Sequence, residues 1–368
     1  MIGTTLHLYL ASAFLRNVAF VFALFFALIF AVDLIELSRD LGDTEGVTLL
    51  DAAIISLTRT PIFAGNVLPF AVLFGAATSL LLLNRRLELV VARAAGVSVW
   101  QFLLPMLLSA ILLGAFFATV YNPFALEGQR YSRSLEAASF GKVGGSFRNK
   151  TSRFWQRLPS AQGDSVIHAR NVENTGETLR GVTVFRFDDK GVSTVRYDAK
   201  FAQFERRAGG ENAYVLRDVV RSEPGETGTK LAKVDVPTNL TSEELQARVR
   251  RPEDVSFWDL PMVAEQTRAS AKNPLPFVTE RQSLLSQPLM FVAMVLIAAT
   301  MSLGFARFGV DWGGVAVGIA AGFVLYVMTN LVLTFGSNGL VPPWLAAWAP
   351  GVVATLIGTT VILHREDG

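Results

Sequence analysis

Polar and apolar positions in this chain are segregated over distances of a whole domain. From about Arg16 to Ile35 the sequence is apolar, rich in Phe and Ala, and closed by Asp33 and Glu36. It is free of charge again from Thr60 to Asn84 and from Ala94 to Leu126. A helix that crosses about 30 Å of hydrocarbon needs roughly 20 such residues, so each stretch predicts one membrane span. Pro61, Pro69, Pro105 and Gly114 fall inside the second and third. A bilayer tolerates them where neighbouring helices or water satisfy the freed backbone groups. Towards the other end, residues 283–305 predict a fourth span. The uncharged run from Trp312 to Leu363 is too long for one helix, and Gly336-Ser337-Asn338-Gly339 with Pro342-Pro343 breaks it into a fifth and a sixth.

Between these blocks the period changes. Short alternating or β-branched stretches at 164–172, 181–187, 192–197 and 213–220 are separated by turn residues such as Asn174-Thr175-Gly176 and Asp188-Asp189-Lys190-Gly191. That spacing predicts an antiparallel sandwich or jelly-roll-like domain. A charged, more helical stretch at 242–272, divided by Pro252, returns the chain to the membrane. The fold class expected is therefore an α-helical membrane protein with six spans (3+3) and an inserted β domain. Its parts are 1–126 with the first three spans, 127–281 with the β-rich domain, and 282–368 with the last three.

Composition sharpens this division. Of 64 Asp, Glu, Lys and Arg residues, 46 lie between Glu127 and Arg281. The flanks thus have bilayer rather than protein core as their solvent. A net charge of +2 argues against a nucleic-acid partner. Absence of cysteine removes disulfides, Cys-ligated metals and thiol catalysis. The short loops set orientation: Arg16, Arg85, Arg86, Arg93, Arg307 and Arg365 share one side, which should be cytoplasmic. Arg39 and Arg59 dissent. Six spans then put both termini inside and the β domain outside.

Catalytic constellations are scarce. His7, His168 and His364 are scattered over an N-terminal segment, a strand and a tail, which predicts no metal site. Gly144–Thr151 approaches a phosphate-binding loop, but Asn149 replaces the glycine before the lysine and no strand-to-helix context surrounds it. No cofactor is expected. The stretch from Asn84 to Ser98 reads as a short amphipathic helix between two spans. Arg85 and Arg86 there suit headgroup anchoring, while Glu88 and Arg93 on an Ala-rich helix equally suit docking into another protein's groove. Asp33, Glu36 and Arg39 share one helical face at the outer end of the first span. They fit a solvated helix end, or the rim of an outward-facing cavity.

Taken together, the 84–98 stretch with Glu-Leu-Val-Val at 88–91 and Ala-Gly at 95–96, the Thr238-Asn239-Leu240-Thr241 segment, and Leu340–Pro350 at the last span resemble the lipopolysaccharide export permease family, LptF and LptG. The resemblance covers essentially the whole chain, and Val32–Leu37 with the 84–98 loop leans it towards the LptG branch. It implies a heterodimer with a sibling LptF-like permease, seated on two copies of a cytoplasmic LptB-like ATPase in the bacterial inner membrane. It also implies that lipopolysaccharide is extracted from that membrane and passed to a periplasmic LptC/LptA-like bridge. Glu88 matches the family's acidic position on the ATPase-coupling helix, with Arg85, Arg86, Arg93 and Gly96 alongside. The first and fifth spans would gate the lipid cavity. One departure stands out: the family carries lysines at the outer end of the first span, where this chain has Glu36-Leu37 and only Arg39 is basic.

The rival class is a membrane-bound lipid-modifying enzyme. It would need convergent His, Asp or Glu in a pocket, and the β-rich block shows no such motif. A mechanical transporter subunit of four spans with an early external domain fits the layout poorly.

Overall fold

A computed structural model describes residues 4–41, 48–140, 154–158, 165–173, 177–187, 193–206, 212–223, 228–238, 251–269, 273–302 and 312–367. It falls into two compact units. One joins Met1–Arg133 to Pro252–Gly368, and the other is Ser134–Arg251.

The first unit is helical. Its spans begin with α1 (Thr4–Leu41) and α2 (Leu49–Arg85). The short α3 (Glu88–Ala94) then leads to a third span built from α4 (Val99–Phe116), a π-helical turn (Phe117–Tyr121) and α5 (Asn122–Phe140). After the β unit come a 3₁₀ turn (Pro252–Asp254), α6 (Leu260–Ala269), and spans four to six: α7 (Leu275–Ser302), α8 (Trp312–Ser337) and α9 (Pro343–Asp367). Six of these helices are long and apolar enough to cross a membrane. Several run past the apolar stretch that predicts them, since helical hydrogen bonding continues wherever water or headgroups solvate the ends. Capping boxes fix two starts: Thr48 with Asp51 on α2, and Ser98 with Gln101 on α4.

α7 is the hub of the bundle, packing against α2, α4, α8 and α9. Its face of Met290, Phe291, Met294, Val295 and Ala298 meets Leu73, Leu80, Leu103 and Met106 in one buried cluster. α1 lies chiefly against α2. A side chain at Gly75 would stand 2.6 Å from the Val18 backbone, so the two helices touch main chain to main chain there. Asn17 Nδ2 donates to Ser79 Oγ at 2.8 Å one turn away. In the third span, the π turn and the residue after it supply acceptors that others use. Trp258 Nε1 donates to the Thr119 carbonyl at 3.0 Å, and the Phe257 N–H to Asn122 Oδ1 at 3.1 Å. Val255, Leu260 and Val263 accordingly pack with Phe277 and Leu284 of α7, so the charged segment 252–269 belongs structurally with the helices.

The second unit holds one antiparallel sheet. Its strands are β1 (Phe154–Leu158), β2 (Ser165–Glu173), β3 (Thr178–Phe187), β4 (Ser193–Glu205), β5 (Asn212–Ser222) and β6 (Thr229–Thr238), each paired with the next. A crease crosses five of them. The ladder omits the pairs Arg170/Gly181, Gly181/Lys200, Lys200/Asp218 and Asp218/Ala232, while pairs on either side are regular. Gly181 and Asp218 have φ of +60° and +53°. Glycine adopts that backbone freely and aspartate tolerates it better than most residues. At the crease the buried side switches phase. Leu179 and Val182, Ala199 and Ala202, and Leu216 and Val219 are each three apart, where plain alternation would give even spacing. The sheet therefore bends and keeps its apolar side inward on both halves, around Ile167, Val184, Phe204, Tyr214 and Val236.

Candidate functional site

At the end of α2, the chain turns through Arg86 and Leu87 into α3. Leu87 takes φ of +60°, a left-handed conformation that reverses the backbone within one residue. The Leu89 side chain packs back onto the core of the bundle, as do Val97 and Trp100 beyond the helix. That seats α3 against α2 and leaves Leu87 and Val91 pointing to solvent, at 61% and 65% exposure. Gly96 ends the loop at φ +82° with open space around it, so it serves as a backbone hinge point and contributes no packing. Ser98 then caps α4.

Glu88, first residue of α3, accepts a hydrogen bond from the Tyr9 hydroxyl, 3.0 Å to Oε2 and 3.3 Å to Oε1. Arg86 stands 3.9 Å away, an exposed ion pair of little energetic consequence. Arg85 is exposed at the last turn of α2. Arg93 lies on α3, its side chain outside the described residues. Sequence reasoning singled out the loop but missed Tyr9, for which no spacing rule connects position 9 with position 88.

The outer cluster behaves differently from a set of three equivalents. Asp33 is buried and meets Arg59 of α2 in a two-pronged pair, Nη2 to Oδ1 at 2.7 Å and to Oδ2 at 2.8 Å. Glu36 and Arg39 are exposed. Ser56 Oγ also reaches the Phe30 carbonyl, at 3.4 Å. The structure thus brings Asp33 to the α1–α2 interface, and Arg59 is the partner that reading the chain for loop charge had counted as a dissenter.

Between these two ends lies a cleft of about 610 Å³ walled by Phe25 of α1, by Val67, Phe70 and Phe74 of α2, and by Ala316, Ile319, Ala320 and Phe323 of α8. Every lining side chain is apolar. Aromatic contacts organise it: Phe25 with Phe74 at 6.2 Å between centroids, and Phe70 with Tyr326 of α8 at 5.0 Å. Such a surface can hold hydrocarbon and offers nothing to a polar solute. Gly144–Thr151, the near phosphate loop, lies outside the described residues. His168 packs against Trp155 on the adjacent strand, the rings tilted with centroids 4.5 Å apart. Among the described residues no group of three or more His, Cys, Asp or Glu could hold a metal ion.

Six helices long and apolar enough to cross a membrane, with a β unit inserted between the third and the fourth, define a polytopic helical membrane protein. The model of the family "Lipopolysaccharide export system permease LptF/LptG" matches residues 8–364, and the chain belongs to that family. It is 26% identical over 327 residues to the lipopolysaccharide export system permease protein LptG of Escherichia coli K12, with 86% of each chain covered. The same identity and coverage relate it to LptG of Escherichia coli O6:H1. The resemblance seen in the sequence is thereby established at the level of family.

Proposed function

We propose that this chain is the membrane subunit of an ATP-driven exporter that extracts lipopolysaccharide from the bacterial inner membrane. The observation that carries the reading is the family match over 8–364 on a chain whose first, second and fifth spans enclose a wholly apolar cleft. Taking a multi-acyl lipid out of a bilayer costs about 0.8 kcal/mol for each CH₂ exposed, so an apolar path lowers the barrier and an external energy source must supply the rest. The energy comes from a partner: two copies of an LptB-like ATPase on the cytoplasmic side. A sibling LptF-like permease completes the transmembrane path by facing the exposed sides of α1 and α8. The β unit, outside the cell membrane, hands the lipid to an LptC/LptA-like bridge.

Helix α3 is the docking element for the ATPase. Leu87 and Val91 would enter its groove as an apolar ridge, with Glu88, Arg85, Arg86 and Arg93 supplying charge around it. Orientation follows the arginine count, which becomes cleaner once Arg59 is removed as the neutralised partner of Asp33. Both termini are then cytoplasmic. Glu36 and Arg39, exposed at the outer end of α1, are the candidates to meet the lipid headgroup, together with Asp33 as the charge that fixes their helix.

The test is reconstitution of the chain with sibling and ATPase in lipid vesicles. Glu88→Ala is expected to abolish lipid-stimulated hydrolysis or co-purification of the ATPase; wild-type behaviour in both assays sinks the assignment of α3. For topology, an impermeant thiol reagent should label Ser193→Cys in intact spheroplasts, and protection until lysis would reverse the orientation.

A further inference from the structure

α1 alone among the six spans contains neither proline nor glycine. Bends in helices arise chiefly at those residues or where the hydrogen-bond ladder is interrupted. Over its 38 residues α1 is accordingly one stiff rod. Phe25 of this rod borders the apolar cleft. About 24 Å towards its N-terminus, at 1.5 Å per residue, the same rod carries Tyr9. Tyr9 donates to Glu88, the first residue of α3. The rod is also fastened to α2 at several points, among them Asn17 to Ser79, Ser56 to the Phe30 carbonyl, and Arg59 to Asp33. With Tyr9 the fastening reaches past α2 to the docking helix itself.

A carboxylate has room for more than one donor. The Tyr9 hydroxyl spans both oxygens of Glu88, at 3.0 and 3.3 Å, and Arg86 approaches Oε1 only loosely. A partner's cation that takes this carboxylate must therefore share it with the phenol or displace it. Either event changes the load on α1 at Tyr9, and between Tyr9 and Phe25 the rod has no proline or glycine at which to bend.

We propose that Tyr9 is a positioning residue for Glu88, and that its hydrogen bond links occupancy of α3 by the ATPase to the placement of the first span at the apolar cleft. This rests on the reading of α3 given above. In the reconstituted complex, Tyr9→Phe removes only the hydroxyl. It is expected to lower the ratio of lipid-stimulated to basal ATP hydrolysis by about fivefold, the low end of typical site-to-site coupling. A purely structural role would reduce both rates together and leave the ratio where it was. An unchanged ratio overturns the proposal.

A second measurement works even where Tyr9→Phe fails to assemble. With 3-fluorotyrosine placed at position 9, adding the ATPase should shift the fluorine resonance, and the shift should vanish in Glu88→Gln. A resonance indifferent to the ATPase overturns the contact. Should the wild-type complex show no lipid stimulation, the transport reading falls, and the fluorine resonance alone then decides for or against the link.

Discussion

Spans one and five on one side, and two and four on the other, are alike in being apolar and opposite in situation. All four carry an apolar stretch long enough to cross the hydrocarbon. Yet only 11% and 17% of the first pair are buried in the chain, against 56% and 67% of the second. Hydropathy reports that a helix tolerates hydrocarbon, and says nothing about whether that hydrocarbon is lipid or protein. The difference shows instead in small and polar residues at contact points. α2 carries Ala64, Gly65, Ala71, Gly75, Ala76 and Ser79 on its buried side, whereas α1 turns Phe20, Leu24, Leu28 and Val32 outward.

The largest way to break this contrast is to strand a charge inside it. Arg59→Ala removes the guanidinium from a carboxylate only 4% exposed, which should cost about 3–5 kcal/mol. Thermal denaturation in detergent should show a large fall in Tm, and Asp33→Leu with Arg59→Met should recover most of it. A single variant as stable as wild type would mean that the pair is not buried in the folded chain. Next comes Gly75→Leu, whose side chain meets Val18 main chain. Overpacking of that kind should cost about 1–3 kcal/mol and weaken cross-linking between cysteines placed at 17 and 79. On the exposed pair, Leu24→Ala and Val324→Ala should shift stability by no more than about 0.5 kcal/mol in the single chain. A larger loss in the heterodimer would locate the sibling's contact on these faces.

The smallest effect lies in the β unit. Burial, and secondarily the charge of Glu177, push the Tyr214 hydroxyl above its ordinary value of 10.0. The folded state thus holds that proton more tightly than the unfolded one. Its contribution is fully present below about pH 10 and is lost as pH rises through the folded value. Tyr214→Phe should flatten the alkaline limb of the stability profile, as followed by circular dichroism; an unchanged limb would count against it.

The six spans and the β insertion were legible in the sequence because both follow from period and length, which are local. Strand limits were less so. The reading begins the third strand at Gly181 and stops the fourth at Tyr197, whereas β3 starts at Thr178 and β4 runs to Glu205. Both errors fall at the crease, where alternation changes phase and a period-2 search loses the signal. β1 and β6 lay outside the alternating stretches picked out, and pairing with neighbours defines them. The loop at 84–98 was legible from composition, while Tyr9 and the Asp33–Arg59 pair were not, since each joins residues far apart in sequence. Arg59 gave one sign: a cation on the side where the charge rule wants none.

The crease also decides which changes in chain length the β unit can absorb. In an ordinary strand, losing one residue flips every side chain beyond it to the opposite face. Here β3, β4, β5 and β6 each already contain one such flip, placed opposite one another at Gly181, Lys200, Asp218 and Ala232. Deleting Lys200 alone would return β4 to plain alternation and leave it one residue short of its neighbours across the crease. The strands that share the crease must therefore gain or lose that residue together or not at all. The line functions as a shared frame mark, and insertions in related chains are expected in the turns between strands and not across it.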